Sequence, residues 1–424
     1  MNMLFKQTFS MLWQNKYFAF LSLFGITVTV AVIMAFFIVL ENKTENIAPE
    51  VNADRMMFLG YYMEESREKN RWSNSNADIP RNIAEKYLTE ITSASFATYS
   101  KREETYFTVK GIDEQVRILH TDKNFWKAFR FTVLAGNGFA QEAFERSDKL
   151  AIISKKLAND LFLGENPIGK AIKMSGTEYR IAGIVDDVPP TCSFAYAQVW
   201  TPCFETVPLK DYCKVAFFLK EEVTGEIFRQ ELDDILSRVN ASEEFPDKFI
   251  KIHFVSRMEQ VLTDGSDILT SKLANSQSEN PYRTFYIQWF GLLGAFLLIA
   301  ISNLTGVNLT RIRERSVEMG IRKAFGAGRM VLIVQLLTEN FIVCTLGGIL
   351  GVVSGYATVQ YFNTQLFVAN YEKVIQWMEV AFTLKLAGIA MLLIIAFGFL
   401  SSAIPVYHLV KSPIISDLKE EITH

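Results

Sequence analysis

TRIRERSVEMGIRKAFGAGR, residues 310–329, is a short basic stretch set between two long apolar runs, and its reading orders the rest of the chain. Arg311, Arg313, Arg315, Arg322, Lys323 and Arg329 stand there against only Glu314 and Glu318. About 20 apolar residues suffice to cross the hydrocarbon core of a bilayer, and Lys and Arg are held on the cytoplasmic side of such crossings. The stretch therefore reads as a cytoplasmic loop of a multi-pass membrane protein.

Working outward, the run before it covers 284–309 and carries Tyr286 and Trp289 as aromatic anchors at its outer end. The run after it covers 330–362. YFAFLSLFGITVTVAVIMAFFIVL, residues 17–40, has no charge. It is too long for the apolar core of about 7–15 residues in a signal peptide and has no small-residue cleavage site, so it reads as a retained span. A fourth run occupies 381–408, with Lys385 near its outer end able to snorkel. Lys6 and Lys16 before the first span, against Glu41, Glu45 and Glu50 after it, put the N-terminus inside. The expected architecture is an α-helical membrane protein with four transmembrane helices. A large α+β extracytoplasmic domain, residues 41–283, is inserted between the first and second spans. Residues 1–16 would form an amphipathic cytoplasmic helix, 363–380 a short periplasmic loop and 409–424 a cytoplasmic tail.

A formal charge of −3 over 424 residues gives no basis for nucleic-acid binding; the basic excess is local and topological. In the polar region, TYFTVKGI (105–112) and EYRIAGIVDDVPP (178–190) read as strands, and KLAIISKKLANDLF (149–162) as a strand followed by a helix. VTGEIFRQELDDILSRVN (223–240) carries Ile227, Leu232, Ile235, Leu236 and Val239 at helical spacing. At this length the region can hold its own core, as one domain or two subdomains. Cys192, Cys203 and Cys213 allow one disulfide with a spare thiol or three free thiols, while Cys344 lies in an apolar run.

Residues 164–171, GENPIGKA, have the G-x-x-x-x-G-K spacing of a phosphate loop. Ala171 replaces the hydroxyl that would hold magnesium and Pro167 restricts the loop. A turn between a helix and a strand is the better reading. His120, His253, His408 and His424 form no metal-ligand spacing, and there is no G-x-S-x-G, so no catalytic, metal or cofactor site is expected. Asp186–Asp187 and Asp233–Asp234 read as solvated surface. Glu339 is an intramembrane carboxylate, either pairing with an inner arginine or capping a polar helix contact, or serving as a proton or cation relay. Gly347, Gly351 and Gly355 have the small-x-x-x-small spacing that lets a neighbouring helix approach. Within the basic stretch Arg311, Arg315, Glu318 and Arg322 recur at steps of three and four, a charged helical face that Gly326 and Gly328 would end.

NLTRIRERSVEMGIRKAFGAGRMVLIVQLLTEN (308–340) resembles the signature of the FtsX-like permease domain, and IPVYHLVKSPIISDLKEE (404–421) resembles its closing element. HTDKNFWKAFRFTVLAGNGF (120–139), LAIISKKLANDLFLGENPIGKAIKM (150–174) and YRIAGIVDDVP (179–189) resemble the MacB-like periplasmic core domain, which accounts for the N-P-I-G-K run without a nucleotide. The resemblance implies a non-catalytic permease subunit of an ABC transporter in the bacterial inner membrane, working as a homo- or heterodimer. It would bind no cofactor itself, with ATP-Mg on a partner cytoplasmic ATPase. It also implies that Arg311, Arg313, Glu314, Arg315, Glu318, Gly320, Arg322, Lys323 and Gly326 couple to that ATPase, whose motion drives the outer domain. Cargoes of the implied class are antimicrobial peptides, macrolides, lipoproteins or toxins, handled with a periplasmic adaptor and an outer-membrane protein. An alternative is an FtsX-like regulator that switches a periplasmic cell-wall hydrolase; a membrane-anchored enzyme and a passive sensor are further ones.

Overall fold

The computed structural model describes residues 16–68, 73–109, 112–263, 329–367 and 382–411, with Phe290–Ile299 and the single positions 287, 301, 302, 305, 306 and 380. The chain divides into two compact units, one of residues 1–42, 283–363 and 379–424, the other of 43–282 and 364–378. Helix α1 (Lys16–Thr44) opens the described chain, and its segment Phe20–Thr44 is long and apolar enough to cross a membrane.

The second unit is built on one sheet. Strands β1 (Met56–Ser66), β2 (Ser73–Asn76) and β3 (Ile79–Pro80) lead into helix α2 (Arg81–Tyr87) and the hairpin of β4 (Ala94–Val109) and β5 (Ile112–Thr121). The stretch 105–112, expected as one strand, instead holds the end of β4 and the start of β5, since Val109 pairs with Ile112. Helix α3 (Phe125–Ala128), strand β6 (Val133–Gly136), helix α4 (Gln141–Glu145), β7 (Leu150–Ser154) and α5 (Lys155–Phe162) follow. The strand-then-helix pattern of 149–162 is β7 and α5, with the Ser154 hydroxyl accepting from Leu157 N to cap the helix. Then come β8 (Ala171–Met174), β9 (Thr177–Val185), β10 (Val199–Thr201), β11 (Tyr212–Leu219), α6 (Gly225–Ala241), β12 (Lys248–Val255) and α7 (Arg257–Thr263).

The strand order is β12-β1-β11-β4-β5-β10-β7-β9-β6. Pairing is antiparallel from β12 to β5 and parallel at β5–β10 and β7–β9. Helices α2 and α6 cover one part of the sheet, where Phe217, Phe228 and Phe254 meet with ring centroids 5.1–5.4 Å apart. An aromatic core around Phe58, Phe125, Phe129, Phe194 and Trp200 fills another part, and α5 packs on Ile153, Met174 and Ile181.

The apolar residues of α6 are not all in the core. Ile227 is 48% exposed, whereas Phe228 is fully buried. The reason is periodicity: Phe228, Leu232, Ile235, Leu236 and Val239 keep steps of three and four, while Ile227 lies about 100° round the helix from Phe228. Cys192, Cys203, Cys213 and Cys344 are all free and buried, so the disulfide alternative falls away.

On the same helix, the Glu231 carboxylate accepts from the amide and hydroxyl of Thr92 (2.7 and 2.6 Å) and from Ser93 N (2.9 Å). Burial raises its pKa, but these bonds outweigh burial and bring the group down to about 2, from an ordinary value of 4.5. A depressed carboxylate stabilises the fold fully above the unfolded pKa and loses that contribution as pH falls towards the folded one. Glu231→Gln should therefore cost about 1–2 kcal/mol at neutral pH. Thermal melting of the full chain should show this gap closing as pH drops from 4.5 towards 2.

In the first unit, the expected second span is described chiefly as α8 (Phe290–Ile299), most of the rest lying outside the described residues. Helices α9 (Arg329–Tyr361) and α10 (Leu384–Lys411) follow, and their segments Leu337–Tyr361 and Leu384–Ser402 are long and apolar enough to cross a membrane. Among the described residues three helices meet that measure, α8 being shorter. Residues 1–15, the expected amphipathic helix, lie outside the described residues, as do 368–379 of the expected loop and the tail from 412.

Candidate functional site

Arg311, Arg313, Glu314, Arg315, Glu318, Gly320, Arg322, Lys323 and Gly326 fall outside the described residues, and Arg329 opens α9. What the structure describes is the packing of the helices beyond them. Gly347, Gly351 and Gly355 form the face of α9 that meets α1. A Cβ at Gly347 would lie 2.9 Å from Ile26 Cβ, one at Gly351 2.6 Å from Val30 Cβ, and one at Gly355 2.8 Å from Ala31 O. Only a residue without a side chain permits this approach, and the Thr27 hydroxyl completes it by donating to Gly347 O at 3.3 Å. Gly348, beside this face, admits Ile394 of α10 instead.

The contact between α9 and α10 is polar as well. Asn340, buried at 3% exposure, directs its amide nitrogen to Gly398 O (3.0 Å), Ser401 Oγ (2.6 Å) and Ser402 Oγ (2.6 Å). Sequence reasoning settled on the neighbouring carboxylate Glu339, which is half-buried, and passed over this amide. The signal was present in the Ser401-Ser402 pair, whose hydroxyls also bond back to the carbonyls of Phe397 and Gly398. At the other end, Thr383 Oγ1 donates to Glu41 Oε1 at 2.7 Å and Tyr356 OH to Val380 O at 3.2 Å, fastening α1 and α9 to the segment that starts α10.

In the second unit, the phosphate-loop look-alike is a turn from α5 to β8. Leu163, Gly164 and Gly169 take positive φ values of 49°, 88° and 82° to make it. Four of its amides are engaged within the protein: Glu165 N on Phe162 O, Ile168 N on Asn166 Oδ1, Gly169 N on Ile181 O and Lys170 N on Pro167 O. Lys170 Nζ pairs with Glu165 at 2.5 Å. Lys170→Ala is therefore expected to leave ATP binding by any complex containing this chain unchanged in calorimetric titration; a measurable loss would reinstate the loop as a nucleotide site. Asp187 accepts from Lys156 N at 2.9 Å, so it caps α5 as well as facing solvent. A cleft of about 680 Å³ lies among Asp54, Arg55, Lys220, Glu222, Gly225 and Arg229. Arg55 there donates to Leu219 O at 3.2 Å, and Arg229 pairs with Glu259 at 3.2 Å, so these two arginines are engaged internally. Among the described residues no cluster of His, Cys, Asp or Glu could hold a metal ion.

Apolar helices of membrane-crossing length, packed through glycine and joined in one chain to an α+β domain on a single sheet, define an integral membrane protein with a large extramembranous domain. The profile of the MacB-like periplasmic core domain matches residues 19–235, and that of the FtsX-like permease C-terminal region matches 290–414. The chain belongs to the MacB/FtsX-like family of ABC transporter permeases. It is 23% identical over 378 residues to "Uncharacterized ABC transporter permease YknZ" of Bacillus subtilis (strain 168), covering 86% of this chain and 87% of that one. It is 24% identical over 373 residues to "Macrolide export ATP-binding/permease protein MacB" of Bdellovibrio bacteriovorus, covering 82% of this chain but 52% of that relative, so it spans about half that relative's length. The crystal structure of the extracellular domain of YknZ aligns with 47% of this chain and 99% of its own, at 15% identity and a TM-score of 0.36.

Proposed function

We propose that this chain is the permease subunit of a MacB-type ABC transporter, carrying ATP-driven motion from a cytoplasmic ATPase to its outer domain for export or extraction of a substrate. The reading is supported above all by the presence in one chain of a MacB-like periplasmic core domain and an FtsX-like permease region. In this reading the chain binds no nucleotide; ATP-Mg sits on the partner ATPase. The basic segment from Arg311 to Gly326 docks that partner, and a second permease copy or paralogue completes the membrane assembly in the bacterial inner membrane. The cargo belongs to the peptide, macrolide, lipoprotein or toxin class, passed to a periplasmic adaptor and an outer-membrane protein.

The test is to purify the full chain in nanodiscs with the ABC ATPase encoded nearest to it. Co-purification and stimulated ATP hydrolysis are the expected result. An ATPase that neither binds nor responds would overturn the assignment, and capture of a cell-wall hydrolase by the outer domain, with no export phenotype, would select the regulatory role instead.

A further inference from the structure

We propose that the buried Glu50–Arg257 pair is a clasp that locks the incoming and outgoing ends of the outer unit into one rigid body. Glu50 lies six residues past the end of α1, and Arg257 opens α7, after which the chain returns to the first unit. The two are far apart in sequence, yet Glu50 Oε2 faces the Arg257 guanidinium at 3.2 Å, with side-chain exposures of 1% and 5%.

Both partners also grip one loop. Glu50 Oε1 accepts from Phe194 N (3.1 Å) and Ala195 N (3.0 Å), while Arg257 donates to Thr191 O. Gln260, one turn further along α7, donates to Ser193 Oγ at 2.8 Å. The incoming segment is held besides by Arg130 N on Pro49 O (2.9 Å), and α7 by Glu259, which accepts from Arg229 of α6 at 3.2 Å. Residues 191–195 thus form a keystone clamped from both chain ends.

The choice of residues points beyond simple filling of a core. A buried ion pair carries a desolvation penalty that well-packed apolar side chains of the same volume avoid, and it returns fixed geometry rather than net stability. Directional bonds that meet at one loop suit a joint through which displacement of either chain end reaches the domain without slack. The clasp works within the outer unit alone, so its failure and the failure of the transporter assignment would show in different measurements.

The test measures slack directly. Glu45→Cys and Met258→Cys place spin labels on two exposed positions flanking the pair, and the four native cysteines are buried from the label. In the full chain in nanodiscs, electron–electron distance measurements should give one narrow distribution. Glu50→Gln should broaden it and speed hydrogen exchange at 193–196 and 257–263 by about tenfold. Lys86→Ala, which removes an exposed ion pair with Glu244, should leave both unchanged. An unaltered distribution in folded Glu50→Gln, or equal broadening in Lys86→Ala, overturns the clasp. Should Glu50→Gln fail to fold, Gln260→Ala decides: partial broadening supports the clasp, and a wild-type width overturns it.

Discussion

Replacing Gly351 by leucine is expected to unfold the first unit at temperatures where the wild-type chain is intact. A Cβ at this position would meet Val30 Cβ at 2.6 Å and Thr27 O at 2.9 Å, a branch point and a backbone atom. Neither can swing aside as the end of a flexible side chain can, so α1 itself must move. Overpacking a tight core costs about 1–3 kcal/mol, and here the upper end of that range or more applies. Helices in a bilayer gain no hydrophobic drive from association, and close packing with a few hydrogen bonds is what holds them. Moving α1 away also loses the Thr27–Gly347 bond and the neighbouring close approach at Gly355. Thermal melting of the detergent-solubilised full chain should show a large drop for Gly351→Leu. Gly388→Leu is the control: among the described residues no atom lies within 4 Å of a Cβ there, and its melting should match the wild type. Equal melting of the two variants would remove the glycine face as a stabilising feature.

That glycine spacing was readable from sequence because it is local to one helix; its partner was not. Nothing in 347–355 names α1 rather than another helix as the neighbour, since that choice depends on contacts some 320 residues distant. The apolar runs were legible because composition alone sets them, and three of the described helices coincide with them. Strand β7 with α5, and helix α6, were legible because strong periodicity and a capping serine or threonine mark them. The sheet order was not, since parallel pairing of β5 with β10 joins segments about 80 residues apart. Buried polar anchors escaped for another reason. Arg81 looks like any surface arginine, yet its side chain is 7% exposed, pairs with Glu85 and Glu205 at 2.6 Å each, and donates to Val207 O at 2.6 Å. Asn340 was overlooked beside Glu339 because a charge stands out in an apolar run and a neutral amide does not. In a low-dielectric interior the amide can still align two helices, each such bond being worth about 1 kcal/mol.

Charge reversal in the basic segment is expected to produce the opposite pattern, with melting unchanged and coupling lost. Arg311, Arg315, Glu318 and Arg322 fall at steps of four, three and four, which on a helix gathers them on one face of mixed sign. Topology alone requires only an excess of Lys and Arg. A surface that sets a carboxylate among the arginines does more, since complementary charges select a partner and fix its register. In Arg315→Glu five of the six basic residues remain, so insertion should be unaffected. A like-charge contact with a docked partner costs several kcal/mol, which corresponds to a loss of at least about tenfold in the affinity of the ATPase. Glu318→Arg tests the same face with the other sign and adds to the topological bias rather than weakening it. Both variants should reach the membrane and melt as the wild type does, while co-purification of the ATPase and stimulated hydrolysis fall together. If both retain wild-type binding and stimulation, the segment sets topology and lipid contact only, and the ATPase must engage another part of the chain. Because Gly351→Leu is expected to act through melting and Arg315→Glu through the partner, measuring hydrolysis and melting on both variants separates the packing of the helices from the proposed coupling.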